Sequence, residues 1–300
     1  MSRRELIGRD WELTIRMSLT MFLLAVLYLG FMAVLFTVGL DFISIAIIAG
    51  IMLGVQFFLS DKLVLMSMGA KETKAEEYPK LHGIIERLAL TAGLPKPKIA
   101  VVQSDIPNAF ATGRGPSSAV VAVTTGIMQR LNDRELEAVL GHELTHVKNR
   151  DVAVITLASF FATVASMLMQ WLAWGSMFGG YGRRRDGGGS IMLVYLASIL
   201  VWIISFFLIR ALSRYREYAA DLGGAVITGA PSHLASALMK ISSGMHRIPQ
   251  EDLRRVESMN AFFVVPALTG ESFMELISTH PPIAKRVERL TRMQARLEGR

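Results

Sequence analysis

The chain has 300 residues and a formal net charge of +7, with 52% hydrophobic and 19% charged residues and a mean hydropathy of +0.40. That balance calls for apolar runs of membrane-spanning length, about 20 residues each. Cysteine is absent, which excludes disulfides and thiolate metal ligands; no nucleic-acid signature accompanies the basic excess, so it is assigned to membrane flanks and no nucleic-acid partner is expected.

The first apolar run covers 17–40 and the second 42–60, both uncharged and parted only around Asp41. They read as a tight helical hairpin. The first run exceeds a signal-peptide core and lacks a small-residue cleavage site, which argues against a cleaved leader. Arg3, Arg4, Arg9 and Arg16 precede the hairpin, and Lys62, Lys71 and Lys74 follow it. By the positive-inside rule the N-terminus and the polar segment after the hairpin are expected in the cytoplasm.

That polar segment, 61–151, reads as globular. "YPKLHGIIERLALTAG" has helical periodicity and ends at Gly93; "KPKIAVVQ" and "SSAVVAVTTG" read as strands, the second ending at Gly126. Between them "IPNAFATGRGPS" offers a short edge strand and a turn. Asn132 as N-cap and Glu135 three positions on form a capping box for the helix "DRELEAVLGHELTHVKNRD".

On that helix His142 and His146 share one face, four positions apart, and Glu143 lies beside the first. This is the H-E-x-x-H arrangement: two zinc ligands, plus a glutamate placed to act as general base on water without ligating. A catalytic zinc needs a third protein ligand. His82, His233 and His246 lack partner spacing, and Val152 occupies the position where a long H-E-x-x-H-x-x-G-x-x-H motif requires histidine.

A third apolar run, 152–178, carries Thr156, Ser159, Thr163, Ser166 and Gln170 but no charge, and a fourth covers 191–209 up to Arg210. His146 falls about 9 Å before the third run if the helix is continuous, and Glu217 of "SRYREYAAD" about 12 Å beyond the fourth. If these runs pair as a second hairpin, Glu217 returns at the height of the two histidines and is the best remaining third ligand. Asp221, one turn further, can hydrogen-bond a ligating histidine and fix its tautomer. Two ligands flanking a hairpin require an even number of crossings. Arg183, Arg184 and Arg185 in "GGYGRRRDGGG" favour zero, and run length favours two.

These features together resemble the HtpX-like membrane metalloproteases, relatives of the CAAX prenyl protease among the gluzincin zinc peptidases. The resemblance spans nearly the whole chain: the first hairpin, "NAFATG" from Asn108, "HELTH", the second hairpin, "REYAAD" and "STHPPIAKRVERL". It implies one zinc ion on His142, His146 and Glu217, with Glu143 as general base. It also implies ATP-independent proteolysis of misfolded or damaged membrane proteins on the cytoplasmic side of the cell membrane. Asn108, Ala109 and Phe110 resemble the family's substrate-side edge segment, where an extended peptide can add as a strand. His280 matches a family histidine near the cleft, for the oxyanion or for supporting the site; Arg286 follows at the family spacing and is expected to pair with Asp221. The Arg- and Gly-rich loop departs from the family pattern and leaves the depth of the second hairpin open.

The expected fold is an α+β integral membrane protein, mostly helical, with two hydrophobic hairpins (1–60 and 152–210). A cytoplasmic zincin-type catalytic domain with a small β-sheet is built from 61–151 and 211–300. The expected partners are polypeptide substrates, especially membrane proteins, and the lipid bilayer. A metal transporter is the main rival, but transporters place ionisable ligands inside their spans, and here they lie outside. A non-catalytic binding scaffold has no need of Glu143.

Overall fold

The computed structural model describes residues 7–8, 10–38, 42–177, 188–245 and 278–299. The chain runs through α1 (Trp11–Thr37), α2 (Phe42–Ser67), β1 (Lys71–Glu72), α3 (Pro79–Ala92), β2 (Lys98–Val102), β3 (Ala109–Thr112) and β4 (Val120–Thr124). There follow α4 (Thr125–Arg130), α5 (Asp133–Asn149), α6 (Asp151–Met177), α7 (Gly188–Thr228), α8 (Pro231–Met245) and α9 (Ile283–Leu297). The protein is thus mostly helical with one small mixed sheet, as the sequence leads one to expect.

Among the described residues each of the four apolar runs forms a helix. Among the described residues α1, α6 and α7 are long and apolar enough to cross a bilayer. α2 makes a fourth span if its halves, Gly50–Leu59 and Asp61–Ser67, bent by 49°, are counted together. The bend falls where the apolar run gives way to Asp61 and Lys62. Leu24, Tyr28, Phe31 and Leu35 of α1 pack into a cluster with Ala158 and Leu168 of α6 and Val194 and Val201 of α7. Within it the Tyr28 hydroxyl donates to the Ala158 carbonyl at 2.7 Å, satisfying a polar group that lipid cannot. The opposite faces expose Phe22, Leu29, Leu157, Trp171 and Leu200, the all-round apolarity of helices solvated by lipid.

α1 packs chiefly on α7 and α2 on α6, because the buried stripe of α1 meets its complement there. One expectation needs correcting: no single continuous helix runs from the HELTH segment into the third apolar run. Arg150 adopts φ 54°, the left-handed region, and its amide bonds to the Val147 carbonyl at 3.1 Å. α5 ends there, and α6 starts afresh at Asp151. The arginines at 183–185 lie outside the described residues, as does His246.

The sheet has the order β1-β2-β4-β3, with β2 and β4 parallel and β3 antiparallel to β4 at the edge. Ile99, Val101, Val121 and Val123 face a core shared with α3, α5 and α8. Ala100, Val102, Val120 and Ala122 face Val64 at the end of α2. Burial on both faces explains why "KIAVV" and "VVAVT" read as continuous apolar runs. α3 ends on the left-handed Gly93, φ 69°, as the sequence indicates. The second strand, however, stops at Thr124, whose side chain caps α4. Gly126 lies inside α4, where a Cβ would stand 2.3 Å from the Asp105 carbonyl oxygen.

Candidate metal centre

The capping box is present: the Asn132 side chain accepts from the Glu135 amide at 3.0 Å, and the Glu135 carboxylate accepts from the Asn132 amide at 3.0 Å. Glu135 does more than start the helix. It also accepts from Ser236 Oγ at 2.7 Å and Lys240 Nζ at 2.8 Å, tying α5 to α8. α5 crosses α7 at close range because the contact is made of glycines. A Cβ on Gly224 would stand 3.0 Å from the His142 amide nitrogen, and one on Gly141 2.8 Å from Thr228 Cγ2. This approach sets Glu217 of α7 against the two histidines of α5.

His142 Nε2 and His146 Nε2 lie 3.1 Å apart. Glu217 Oε1 is 3.4 Å from the second, and Glu217 Oε2 3.6 Å from the first. One ligand atom from each of the three residues falls within 4.8 Å of the others. Behind the rings, His142 Nδ1 is 3.0 Å from Asp221 Oδ1, and His146 Nδ1 is 2.6 Å from Asp151 Oδ2. Each carboxylate favours the tautomer with its proton on Nδ1. The two Nε2 lone pairs are then free to converge on one cation. Bonds of about 2.0–2.1 Å to a tetrahedral zinc set ligand atoms roughly 3.3–3.4 Å apart, close to the separations found. A donor set of two imidazoles and one carboxylate therefore fits zinc.

The surroundings are built to hold this arrangement. Arg286, buried, donates from Nε and Nη2 to Asp221 at 2.9 and 2.7 Å, and its Nη1 lies 3.2 Å from Glu217 Oε2. His280 Nδ1 is 3.2 Å from the same oxygen. Arg216 pairs with Asp151 and donates to the Asn149 carbonyl at 3.0 Å. The apolar part of α7 ends before Arg210, so these groups stand beyond it. Burial pushes the Glu217 carboxyl up, but His280, His142 and His146 outweigh it and hold it well below the ordinary range. Glu143 is different: burial raises its pKa more than the neighbouring histidines lower it, as suits a proton acceptor near neutral pH.

Glu143 Oε2 accepts from the Ala111 amide of edge strand β3 at 2.9 Å. The free edge of the sheet thus runs beside the centre. The cleft between them has a volume of about 330 Å³. Ala109 to Thr112 form one wall, and Val64, Val152, Ile155 and Ile209, at the ends of the membrane helices, form another. Of the substrate-side residues, Ala109 and Phe110 line the cleft. Asn108 is fully buried, its carbonyl accepting from the Thr124 amide at 2.9 Å. His142, Glu143, His146, Glu217, Asp221, His280 and Arg286 come together as one cluster. Asp151 and Arg216 were not singled out from the sequence; an aspartate directly after the HELTH helix was the available signal.

Residues 75–294 match the model of peptidase family M48. The chain is 61% identical to the Protease HtpX homolog of Moorella thermoacetica, over 99% of each chain. It is 57% identical to the Protease HtpX homolog 2 of Methanosarcina acetivorans, over 95% of this chain and 97% of that one. Among solved structures, Ste24p of S. mikatae shares the fold with a TM-score of 0.57 at 20% identity, over 93% of this chain and 66% of that one. With a family model covering most of the chain and relatives similar along its length, the chain belongs to peptidase family M48.

Proposed function

We propose that this protein is a multi-pass zinc endopeptidase of the cell membrane, cleaving misfolded or damaged membrane proteins on the cytoplasmic side. The observation that carries the reading is the convergence of His142, His146 and Glu217 within 4.8 Å, with the buried Glu143 beside them. In this reading 1–60 and 152–210 anchor the chain in the bilayer, and 61–151 with 211–300 form the catalytic unit.

His142, His146 and Glu217 hold the metal. Bound there, zinc supplies a Lewis acid that polarises an acyl oxygen and acidifies water. Glu143 takes the proton from the attacking water and delivers it to the leaving amide nitrogen. Ala111 orients Glu143 through its amide, and β3 offers its free edge to an extended peptide. Asp221 and Asp151 hold the imidazoles, and Arg286 holds Asp221. His280 is a positioning residue for Glu217, given its 3.2 Å approach to Oε2. The apolar wall of Val64, Ile155 and Ile209 at the bilayer edge supports a substrate that emerges from the membrane.

The test is proteolysis of an unfolded protein by the detergent-purified chain. Cleavage is expected to stop with a chelator and to return with added zinc. Cleavage that continues in the metal-free protein would remove the reading.

A further inference from the structure

A second recess, of about 280 Å³, lies where α9 meets the start of α1, apart from the metal cleft. Its lining includes Ile7, Gly8, Asp10 and Trp11 on one side and Arg289, Arg292 and Arg296 on the other. The three arginines recur at the helical spacing that places them on one face of α9. α1 is the first membrane span, and Trp11 at its head is 59% exposed, the usual setting of an interfacial tryptophan. With α1 crossing a bilayer from Trp11, the recess falls at the depth of lipid headgroups.

Its electrostatics favour an anion. Both lining carboxylates are already engaged by cations: Asp10 by Arg289, and Glu12 by Arg16. Asp10 also accepts from the Leu13 amide at 2.9 Å. Among the described residues Arg292 is tied to Glu288 on its own exposed helix face, and Arg296 donates to the Ile7 carbonyl at 3.0 Å. The Arg292 contact is weak, as exposed i,i+4 pairs are, and Arg296 keeps further guanidinium donors beyond the one given to Ile7. The positive end of the α1 dipole adds to the same field.

We infer that this recess binds the phosphate of an anionic glycerophospholipid headgroup, with Arg292 and Arg296 as its principal ligands. Inorganic phosphate shares the chemistry and is the rival source. The site would also bear on the metal centre, because α9 carries Arg286 one turn before Arg289, and Leu222 of the recess follows Asp221. The inference rests on the membrane placement of α1 and is independent of proteolysis.

The test uses the full chain, delipidated in detergent and then placed in bilayer discs of phosphatidylcholine with or without phosphatidylglycerol. Bound lipid is counted by native mass spectrometry, and the unfolding midpoint is recorded. The parent is expected to retain phosphatidylglycerol preferentially and to unfold at higher temperature with it. The double variant Arg292→Gln/Arg296→Gln is expected to lose roughly five-fold in lipid affinity per arginine, while its midpoint in phosphatidylcholine matches the parent. The double variant Lys80→Gln/Arg87→Gln, exposed on α3, removes equal charge elsewhere and is expected to keep the preference. Equal lipid retention by the parent and the Arg292/Arg296 variant overturns the site, as does equal loss in both double variants. Stabilisation of the lipid-free parent by inorganic phosphate, with none from phosphatidylglycerol, overturns the lipid source.

Discussion

Each imidazole of the centre is backed by its own carboxylate from a different helix, Asp221 for His142 and Asp151 for His146. Removing such a partner from a metal site commonly costs 10–100-fold in affinity. Asp151→Asn is therefore expected to weaken zinc binding by about that factor, and Glu217→Ala to abolish stoichiometric zinc. Metal analysis and competition with a chromogenic chelator check both; unchanged zinc in Glu217→Ala would mean another third ligand. Glu135 supplies a contrast outside the centre. Burial raises its pKa, but hydrogen bonds from Lys240, Ser236 and the Asn132 amide outweigh that, and the result is a lowered value. A carboxyl depressed in the folded state contributes its full stability above its unfolded pKa, about 4.3, and loses it as pH falls through the folded value. Glu135→Gln is thus expected to lower the unfolding midpoint at neutral pH and to flatten its fall in acid; a parallel fall in both proteins would contradict this. At this scale the spacing of His142, Glu143 and His146 was legible in the sequence. Arg216 was not, because its partner Asp151 lies far away along the chain, and only folding brings them together.

Among elements, the crossing of α5 and α7 sets the metal geometry. Gly141, Gly223 and Gly224 leave no room for side chains: a Cβ on Gly223 would stand 2.2 Å from Thr145 Cγ2. Gly224→Ala is expected to cost about 1–3 kcal/mol by overpacking and to weaken zinc binding by displacing His142. A lowered midpoint with normal zinc affinity would show that the crossing serves stability alone. Glycines inside helical patterns often have such a packing reason, so the clue stood in "LGHELTH" and "DLGGAV", but the partner surfaces did not. The strands of the sheet interior were readable as apolar runs, whereas β1, only two residues long, carries no periodicity to detect. The break at Arg150 escaped because a left-handed non-glycine residue leaves little trace in composition.

For the whole molecule, the metal centre brackets two long apolar helices: α6 begins just after His146, and the apolar part of α7 ends just before Glu217. Their apolar surfaces and the cluster shared with α1 favour two crossings. Since native cysteine is absent, a cysteine at Ser190 is expected to react with a membrane-impermeant thiol reagent on intact cells. A cysteine at Ser213 is expected to react only after permeabilisation, and labelling of Ser213→Cys on intact cells would place the centre on the wrong side. Run lengths made the apolar helices legible, while the pairing of α1 with α7 and of α2 with α6 depended on side-chain fit that periodicity does not encode. Peptide hydrolysis by this assembly, with Glu143 as the base, is put to the test by the Glu143→Gln variant. The amide keeps the size of the side chain, loses its proton-accepting carboxylate and leaves the three ligands intact. One zinc per chain with cleavage of an unfolded protein reduced at least about 100-fold is the expected result; cleavage at the parent rate with zinc bound would contradict the account.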